Sequence, residues 1–566
     1  MRLAILAFLF SPLFIFGQDL SFSDITAAAG TDIGGNNNGV VMGDIDNDGF
    51  EDMFIPGRLS PNKLYKNMGD GTFENVINDA GIQTEGLTMT AVFGDIDNDG
   101  DLDLFIGNYY ISASAYPNYL YLNDGTGHFE DISLSAGILT PDQTRSVHMC
   151  DVDLDGYTDI YVCNLSQENI LWHNNGDNTF TDHTVASGLT DTMISMGAMF
   201  FDYDNDGDQD IYLTHDANQP YIMYENDGTG VFTDVSEESN LNFAGMGMGV
   251  DHGDINNDGH LDIYVTNLGP NSLFLNDGNG VFTDIAGAAG VDDGGMSWGC
   301  FFIDYDNDGW EDIYMINDSN FSPLSNKLYK NNGDNTFTLV SENSPLYSFY
   351  GGFGGTWADI DENGYQDILV ANNEDGVGVQ IFENNYSDNH WIAFELEGVT
   401  DAKDAFGTRV QITCSLGNKI DEKTAGSSYS SQNSHRVHFG LGSDPAISDI
   451  FVIWPDGTVD YYESLEADQI HTLIQGANPS TSIEELRGHT ITVYPNPFVS
   501  ELNVSANTPA ITHFEIFDMN GEKVYSDKIN SYGQLINVRN DLAAGNYILR
   551  LMNGENVVNA EKIIKN

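Results

Sequence analysis

Between residues 20 and 388 the apolar positions fall in short runs set off by Gly, Asn and Asp, and four kinds of run recur in fixed order. The first is Gly-rich and apolar, as in Gly197-Ala-Met-Phe-Phe201 and Gly299-Cys-Phe-Phe-Ile303. The second follows an acidic turn: Asp52-Met-Phe-Ile, Asp159-Ile-Tyr-Val, Asp262-Ile-Tyr-Val. The third reads Asn-x-Leu-Tyr-x-Asn or close to it, at Asn62–Asn67, Asn118–Asn123, Asn169–Asn174, Asn271–Asn276 and Asn326–Asn331. The fourth follows an Asp-Gly or Asn-Gly turn, at Phe129-Glu-Asp-Ile, Phe232-Thr-Asp-Val and Phe282-Thr-Asp-Ile. Gly and Asn tolerate the positive φ of tight hairpin turns, so each set predicts four short antiparallel strands.

The turn between the first and second runs is an aspartate ladder, Asp-x-Asp-x-Asp-Gly-x-x-Asp, and it occurs seven times. The copies place oxygen ligands at Asp44, Asp46, Asp48 and Asp52; Asp95, Asp97, Asp99 and Asp103; Asp151, Asp153, Asp155 and Asp159; Asp202, Asp204, Asp206 and Asp210; Asp254, Asn256, Asp258 and Asp262; Asp304, Asp306, Asp308 and Asp312; and Asp359, Asp361, Asn363 and Asp367. First aspartates lie 51, 56, 51, 52, 50 and 55 residues apart. A period of about fifty residues with four strands each is a propeller blade, and seven periods predict a seven-bladed β-propeller over residues 18–388. The last period lacks its Phe-x-Asp-Val run, and an orphan copy, Phe22-Ser-Asp-Ile-Thr26, stands at the start of the chain. The N-terminal strand is therefore expected to pair with Val379–Glu383 and close the ring. An open β-solenoid, the competing reading, needs no such exchange.

Side chains at positions 1, 3, 5 and 9 of such a loop can converge on one point, with Gly at position 6 permitting the sharp turn. All-oxygen donors suit a hard cation, and positions 1, 3, 5 and 9 hold no thiolate or imidazole that would favour zinc. The EF-hand shares these positions but needs a Glu at position 12 and flanking helices; here position 12 of the first loop is Ile55 and strands follow. The expectation is about seven Ca2+ ions, one per loop. Charge agrees: 87 acids against 19 bases give a net charge of −68, and seven calcium ions would neutralise the densest clusters. The same charge argues against nucleic acid and anionic membrane as partners.

The ends of the chain differ in kind. Arg2 and the apolar run Leu3–Phe16 have the shape of a secretory signal peptide, residues 1–17, and no later stretch predicts a transmembrane segment. Six bases lie between Gln18 and Asp388 (Arg58, Lys63, Lys66, Arg145, Lys327, Lys330), but twelve follow Trp391. A small β domain is expected at 389–476, a linker at 477–489, and a C-terminal β-sandwich at 490–566, making the whole chain all-β. Cys150, Cys163, Cys300 and Cys414 are too few for a disulfide framework and read as small core hydrophobes.

The ladder together with its two strand signatures resembles the FG-GAP or VCBS repeat family, which includes the propeller of integrin α chains. Asp404-Ala-Phe-Gly-Thr-Arg409, Gly426-Ser-Ser-Tyr-Ser-Ser-Gln432, His438-Phe-Gly-Leu-Gly442 and Trp454-Pro-Asp-Gly457 are similar to the ASPIC/UnbV domain found beside such propellers in the cartilage acidic protein family. Tyr494-Pro-Asn-Pro497, Ile516-Phe-Asp-Met-Asn-Gly521, Leu542-Ala-Ala-Gly-Asn-Tyr547 and Lys562-Ile-Ile-Lys565 resemble a type IX secretion C-terminal sorting domain of Bacteroidetes, though the chain ends in Asn566 where a lysine is expected. The resemblance implies export by that machinery and a secreted or outer-membrane surface location.

The repeated aspartates form no single asymmetric constellation of the kind an active site needs. Ser427, Ser428, Ser430 and Ser431 lack a nucleophile elbow, and His435 and His438 read as surface or packing residues. No Walker A or dinucleotide fingerprint is present. The reading is a non-enzymatic adhesion or recognition protein for an extracellular glycan or protein ligand. The alternative is a polysaccharide-active enzyme with its site on non-repeated propeller loops.

Overall fold

A computed structural model describes residues 20–478, apart from 32–33, 85, 110–115, 141 and 375, and the strand segments between 492 and 565. The expected signal peptide and most of the linker lie outside the described residues. The chain divides into two compact units, Met1–Asn478 and Pro479–Asn566.

In the first unit, antiparallel four-stranded sheets succeed one another along the repeats. The sheet of Thr88–Gly94, Asp103–Asn108, Tyr119–Asn123 and Phe129–Asp131 is typical. Its first two strands are buried throughout, while its fourth buries only the leading Phe129. The sequence grading from continuous apolar runs to a single Phe thus records distance from the interior. First strands of successive sheets approach closely: a Cβ on Gly197 would lie 2.4 Å from the Met248 carbonyl oxygen, and one on Gly249 2.6 Å from that of Trp298. Glycine recurs there because a side chain would force the strands apart.

The last repeat supplies Gly352–Ala358, Asp367–Glu374 and Gln380–Asn384, and Phe22–Asp24 adds the missing strand, with Phe22 opposite Asn384 and Asp24 opposite Phe382. The expected N-terminal exchange is present. Apolar cores lie between neighbouring sheets: Val92, Phe105 and Leu120 meet Val147, Ile160 and Trp172. Val40, Met53 and Tyr65 of the first repeat meet Ile360, Leu369 and Ile381 of the last in the same way. The arrangement is propeller-like.

Residues 390–478 form two sheets on the same unit. Val437–Gly442, His390–Glu397 and Ile470–Ile474 make one; Gly417–Glu422, Arg409–Cys414, Ala446–Ile453 and Val459–Glu466 make the other. Ile392, Phe394, Val410, Phe439, Val452 and Trp454 fill the core between them. From this domain residues 425–433 run across the first strands of the repeats. Met149 N–H donates to Ala425 O (3.3 Å), Ser428 N–H to Val250 O (3.1 Å), Gln432 N–H to Val40 O (3.1 Å) and Phe93 N–H to Gln432 Oε1 (2.8 Å). Cys300 N–H donates to Ser428 Oγ (3.1 Å), and Thr356 Oγ1–H to Gln432 O (2.8 Å). Tyr429 is fully buried against Met196, Met248, Met296 and Phe353. The Ser-rich motif is therefore an axial plug that joins the inner strands.

All four cysteines are free thiols, Cys150, Cys163 and Cys300 buried and Cys414 partly so. His438 is buried beside Trp357 and Trp391, a packing residue as expected. The second unit holds two antiparallel sheets: Thr492–Tyr494, Asn503–Ser505 and Ile536–Asn537 in one, His513–Asp518, Lys523–Lys528, Gly545–Asn553 and Asn556–Lys565 in the other.

Candidate metal centres

Each ladder is a tight loop joining the first and second strands of a sheet. Its glycine takes φ of 86–100°, and the residue two before it (Asn47, Asn98, Leu154, Asn205, Asn257, Asn307, Glu362) takes 53–65°, a left-handed pair that reverses the chain. Position 1 fixes the turn, its Oδ2 accepting the glycine N–H at 2.7–3.1 Å in every loop. The side chain at position 5 accepts the N–H of position 7 at 2.8–3.2 Å.

Position 9 has a role beyond the ligand role expected of it. Asp52, Asp103, Asp159, Asp210, Asp262, Asp312 and Asp367 accept, through Oδ1, the N–H of the Asn that ends the third strand, at 2.6–2.9 Å. In six of the seven loops Oδ2 also accepts the N–H of position 2, at 3.0–3.3 Å. Each of those asparagines then crosses to the neighbouring sheet. The Nδ2 groups of Asn67, Asn123, Asn174, Asn226, Asn276, Asn331 and Asn384 donate to the position-2 carbonyls of Ile360, Ile45, Ile96, Val152, Tyr203, Ile255 and Tyr305, at 2.7–2.9 Å. The bond from Asn67 to Ile360 links the first repeat to the last. The signature Asn was visible in the sequence; its partner 76 or so residues away, or 293 away for Asn67, was not.

Carboxylate oxygens of Asp44, Asp46 and Asp48, of Asp95, Asp97 and Asp99, of Asp151, Asp153 and Asp159, and of Asp202, Asp204 and Asp206 come within 4.8 Å of one another. Burial, then like charge, pushes Asp95 up to about 6 and Asp151 up to about 8; burial pushes Asp52 and Asp359 up to about 7. Asp103, Asp210, Asp262, Asp304, Asp312 and Asp367 are raised well above the carboxylate range for the same first cause. Buried oxygens of Asp46, Asp95, Asp97, Asp153 and Asp306 have no hydrogen-bond partner among the described residues. Orphaned, mutually repelling, oxygen-only donors fit a hard divalent cation.

The loops are not equivalent. The residue before the strand-ending Asn reaches into the ladder: Lys66 Nζ contacts Asp46 and lies 2.9 Å from Asp48 Oδ2, and Lys330 Nζ contacts Asp306 and lies 2.8 Å from Asp308 Oδ2. In the third loop His173 Nδ1 lies 3.2 Å from Asp159 Oδ1, and that partnership pushes its pKa up to about 9. The third ladder carries no imidazole of its own, but the third strand brings one in, next to Asp153 and Asp155. The signal was the variable x of Asn-x-Leu-Tyr-x-Asn, which is Lys66, His173 and Lys330 here and Leu122 or Leu275 elsewhere.

The domain after the repeats covers these loops, touching all seven. Arg436 donates to Gly49 O (2.7 Å) and pairs with Glu362 (3.3 Å), Lys403 N–H donates to Asn98 Oδ1 (2.8 Å) and Thr158 Oγ1–H to Asp404 (3.1 Å). Arg409 donates to Asp202 O (2.8 Å), and Lys419 reaches Asn257 Oδ1 (3.2 Å) and Gly309 O. This is where the bases that the repeats lack are placed. In an antiparallel four-stranded sheet the 2–3 and 4–1 connections emerge at the end opposite the 1–2 loop; among the described residues this domain reaches toward that end through Tyr429, whose cluster includes Leu165 and Leu268, while its contacts with the loops lie at the other.

Fold and loops define a class, a repeat protein whose acidic loops could hold a hard cation, with a capping domain. The FG-GAP-like repeat family matches residues 44–106, 108–162, 151–213, 202–265, 254–315 and 304–370, and the chain belongs to it. It also carries an ASPIC and UnbV domain at 398–480 and a type IX secretion system C-terminal sorting domain at 492–566. Among characterised proteins it is similar to cartilage acidic protein 1 of Xenopus tropicalis, 24% identical over 482 residues, covering 78% of this chain and 74% of that one. The Homo sapiens protein is 24% identical over 451 residues, covering 75% of this chain, which spans 60% of its length. Similar solved structures include an Agrocybe aegerita lectin that recognises non-reducing terminal N-acetylglucosamine (18% identity, 56% of this chain and 81% of that, TM-score 0.37) and BBS1N in complex with ARL6DN (9%, 65% and 96%, TM-score 0.42). Such scores bear on neither ligand nor mechanism. Among the described residues no helix is long and apolar enough to cross a membrane.

Proposed function

We propose that this protein is a secreted or outer-membrane surface recognition module: a seven-bladed propeller held by about seven Ca2+ ions, with residues 1–17 removed on export and a C-terminal β-sandwich at 490–566 read by the type IX machinery. The boundaries at 18–388 and 389–476 divide the ring from its cap. The ladder residues at positions 1, 3, 5 and 9 would hold the ions, with position 9 also fixing each loop to the strand-ending Asn. Bound calcium supplies the positive charge that these clusters need. Asn256 and Asn363 each replace a carboxylate, so the fifth and seventh sites bind more weakly.

One observation carries the reading: acidic loops recur seven times, and the domain that follows meets them with Arg409, Lys419 and Arg436. Nothing among the described residues gives the enzymatic alternative better support, and the end opposite the ladders is left for an extracellular glycan or protein. Calorimetric calcium titration of the mature chain, followed by glycan and matrix-protein arrays with a parallel assay for reducing ends, tests it. Two or fewer calcium sites, or release of reducing ends without stable binding, would sink the proposal.

A further inference from the structure

At the end opposite the ladders a cavity of about 290 Å³ opens where the last, first and second repeats meet. Leu59 and Met89 form its apolar wall, Tyr109 and Asn373 its polar side, and Arg58 reaches in from the 2–3 connection of the first repeat. Arg145, from the start of the next repeat's first strand, lies over the Tyr109 ring at 4.9 Å. Arg58 lies over Phe353 at 5.5 Å. The volume is close to the lower end of small-ligand sites.

The two guanidinium groups are anomalous in this chain. The repeats hold only six bases among a large excess of acids. Lys66 and Lys330 sit on ladder carboxylates, Lys327 pairs with Asp293 at 2.5 Å, and Lys63 is buried, donating to Asn37 Oδ1 at 3.1 Å. Of these six, Arg58 and Arg145 have no ion pair within 4 Å and no side-chain hydrogen bond; Arg58 still acts through its charge on the half-buried Asp318, and Arg145 Nε is buried without a partner. Each guanidinium lies over an aromatic ring, and Arg58, which lines the cavity, offers a fork of N–H donors that matches a planar or tetrahedral oxyanion.

We propose that this cavity binds an acidic sugar, with Arg58 taking a carboxylate or sulfate, Tyr109 (backed by Arg145) and the Leu59–Met89 wall taking the C–H face of the ring, and Asn373 a hydroxyl. The inference rests on the recognition reading above and names its ligand class. Unlike the ladders, the site occurs once, so one sugar residue would be read per chain.

The calcium-loaded full chain is titrated with trigalacturonate, its neutral methyl ester, a sulfated chondroitin tetrasaccharide and triglutamate. Binding of either acidic sugar, weakened about tenfold or more by R58Q, by R145Q and (for trigalacturonate) by esterification, is the expected result, and the two sugars distinguish carboxylate from sulfate. R58K keeps the charge without the fork and should recover less than half of the lost binding free energy. Leu59 is 70% exposed, so L59D leaves folding unchanged while setting a like charge at the mouth, and it should weaken binding comparably. Equal binding of the methyl ester, equal binding of triglutamate, or sugar binding indifferent to R58Q, R145Q and L59D would each overturn the assignment. A neutral glycan or protein bound indifferently to these variants would overturn this site but leave the recognition reading standing, whereas no ligand on any array would remove both.

Discussion

Asn67→Ala tests whether the joint between the first and last repeats is held as firmly as those inside the series. Asn67 is buried, and its side chain makes three hydrogen bonds: Nδ2 to Ile360 O (2.9 Å) and Glu51 O (3.3 Å), and Oδ1 from Gly69 N–H (3.0 Å). At about 1 kcal/mol for each bond, the truncation costs about 3 kcal/mol, and more if the two carbonyls stay dry. Unfolding entropy of roughly 2.1 cal/mol/K per residue over a unit of about 460 residues converts this to a melting-temperature drop of about 3 °C. Asn174 is the comparator, with the same three contacts to Ile96 O, Thr158 O and Gly176 N–H inside the series. Asn175→Ala is the control, since that exposed side chain bonds only to Thr179 and Thr181 nearby. Calorimetric melts in calcium should show Asn67→Ala and Asn174→Ala falling together and Asn175→Ala within about 1 °C of the parent. If Asn174→Ala melts early while Asn67→Ala melts like the parent, the latch between first and last repeats carries no load and the ring argument fails.

Four further outcomes follow from the same contacts. In chelator, the raised carboxylates (Asp52 and Asp359 at about 7, Asp151 at about 8) bind more protons folded than unfolded between pH 4 and 8, so metal-free stability falls as pH rises through that window; calcium keeps them charged, so the gap between loaded and metal-free melts should widen from pH 5 to 8, and parallel curves would refute the loop assignment. Lys66→Met should raise calcium affinity of the first loop about fivefold, the worth of a partly exposed ion pair at ~1 kcal/mol, read by calorimetry on an otherwise parental chain. Tyr429→Ala empties the axial plug and should cost about 3–5 kcal/mol; a change below 1 kcal/mol in denaturant melts would show that the plug is not structural. Deleting residues 490–566 should leave calcium binding intact but strand the protein inside the cell envelope, and normal surface display of the truncated chain would defeat the sorting role.

The repeats were legible because their determinants are local. A turn that needs Gly at one position, a strand buried on both faces and a strand ending in Asn each leave a mark within ten residues, and seven copies multiply the mark. The exchange of Phe22–Asp24 into the last sheet was legible as an accounting gap, a missing run at one end and a spare at the other. What the sequence could not show is what the ladders face. The reach of Lys66, His173 and Lys330 into the loops depends on the third strand lying antiparallel beside the second, which sets residues some 20 positions apart against one another. The axial plug is further from reading still: Gly426–Gln432 looked like a polar, nucleophile-poor stretch, yet its backbone and hydroxyls answer donors and acceptors on first strands as far back as Val40. The excess of bases after Trp391 was visible as composition, and only the fold gives it a cause. Seven acidic loops demand counter-charge; Arg409, Lys419 and Arg436 meet part of that demand and bound cations would meet another part, so the cap and the ions should stabilise one another. That coupling would leave recognition to the opposite end, where Arg58 and Arg145 lie over aromatic rings without an ion pair within 4 Å.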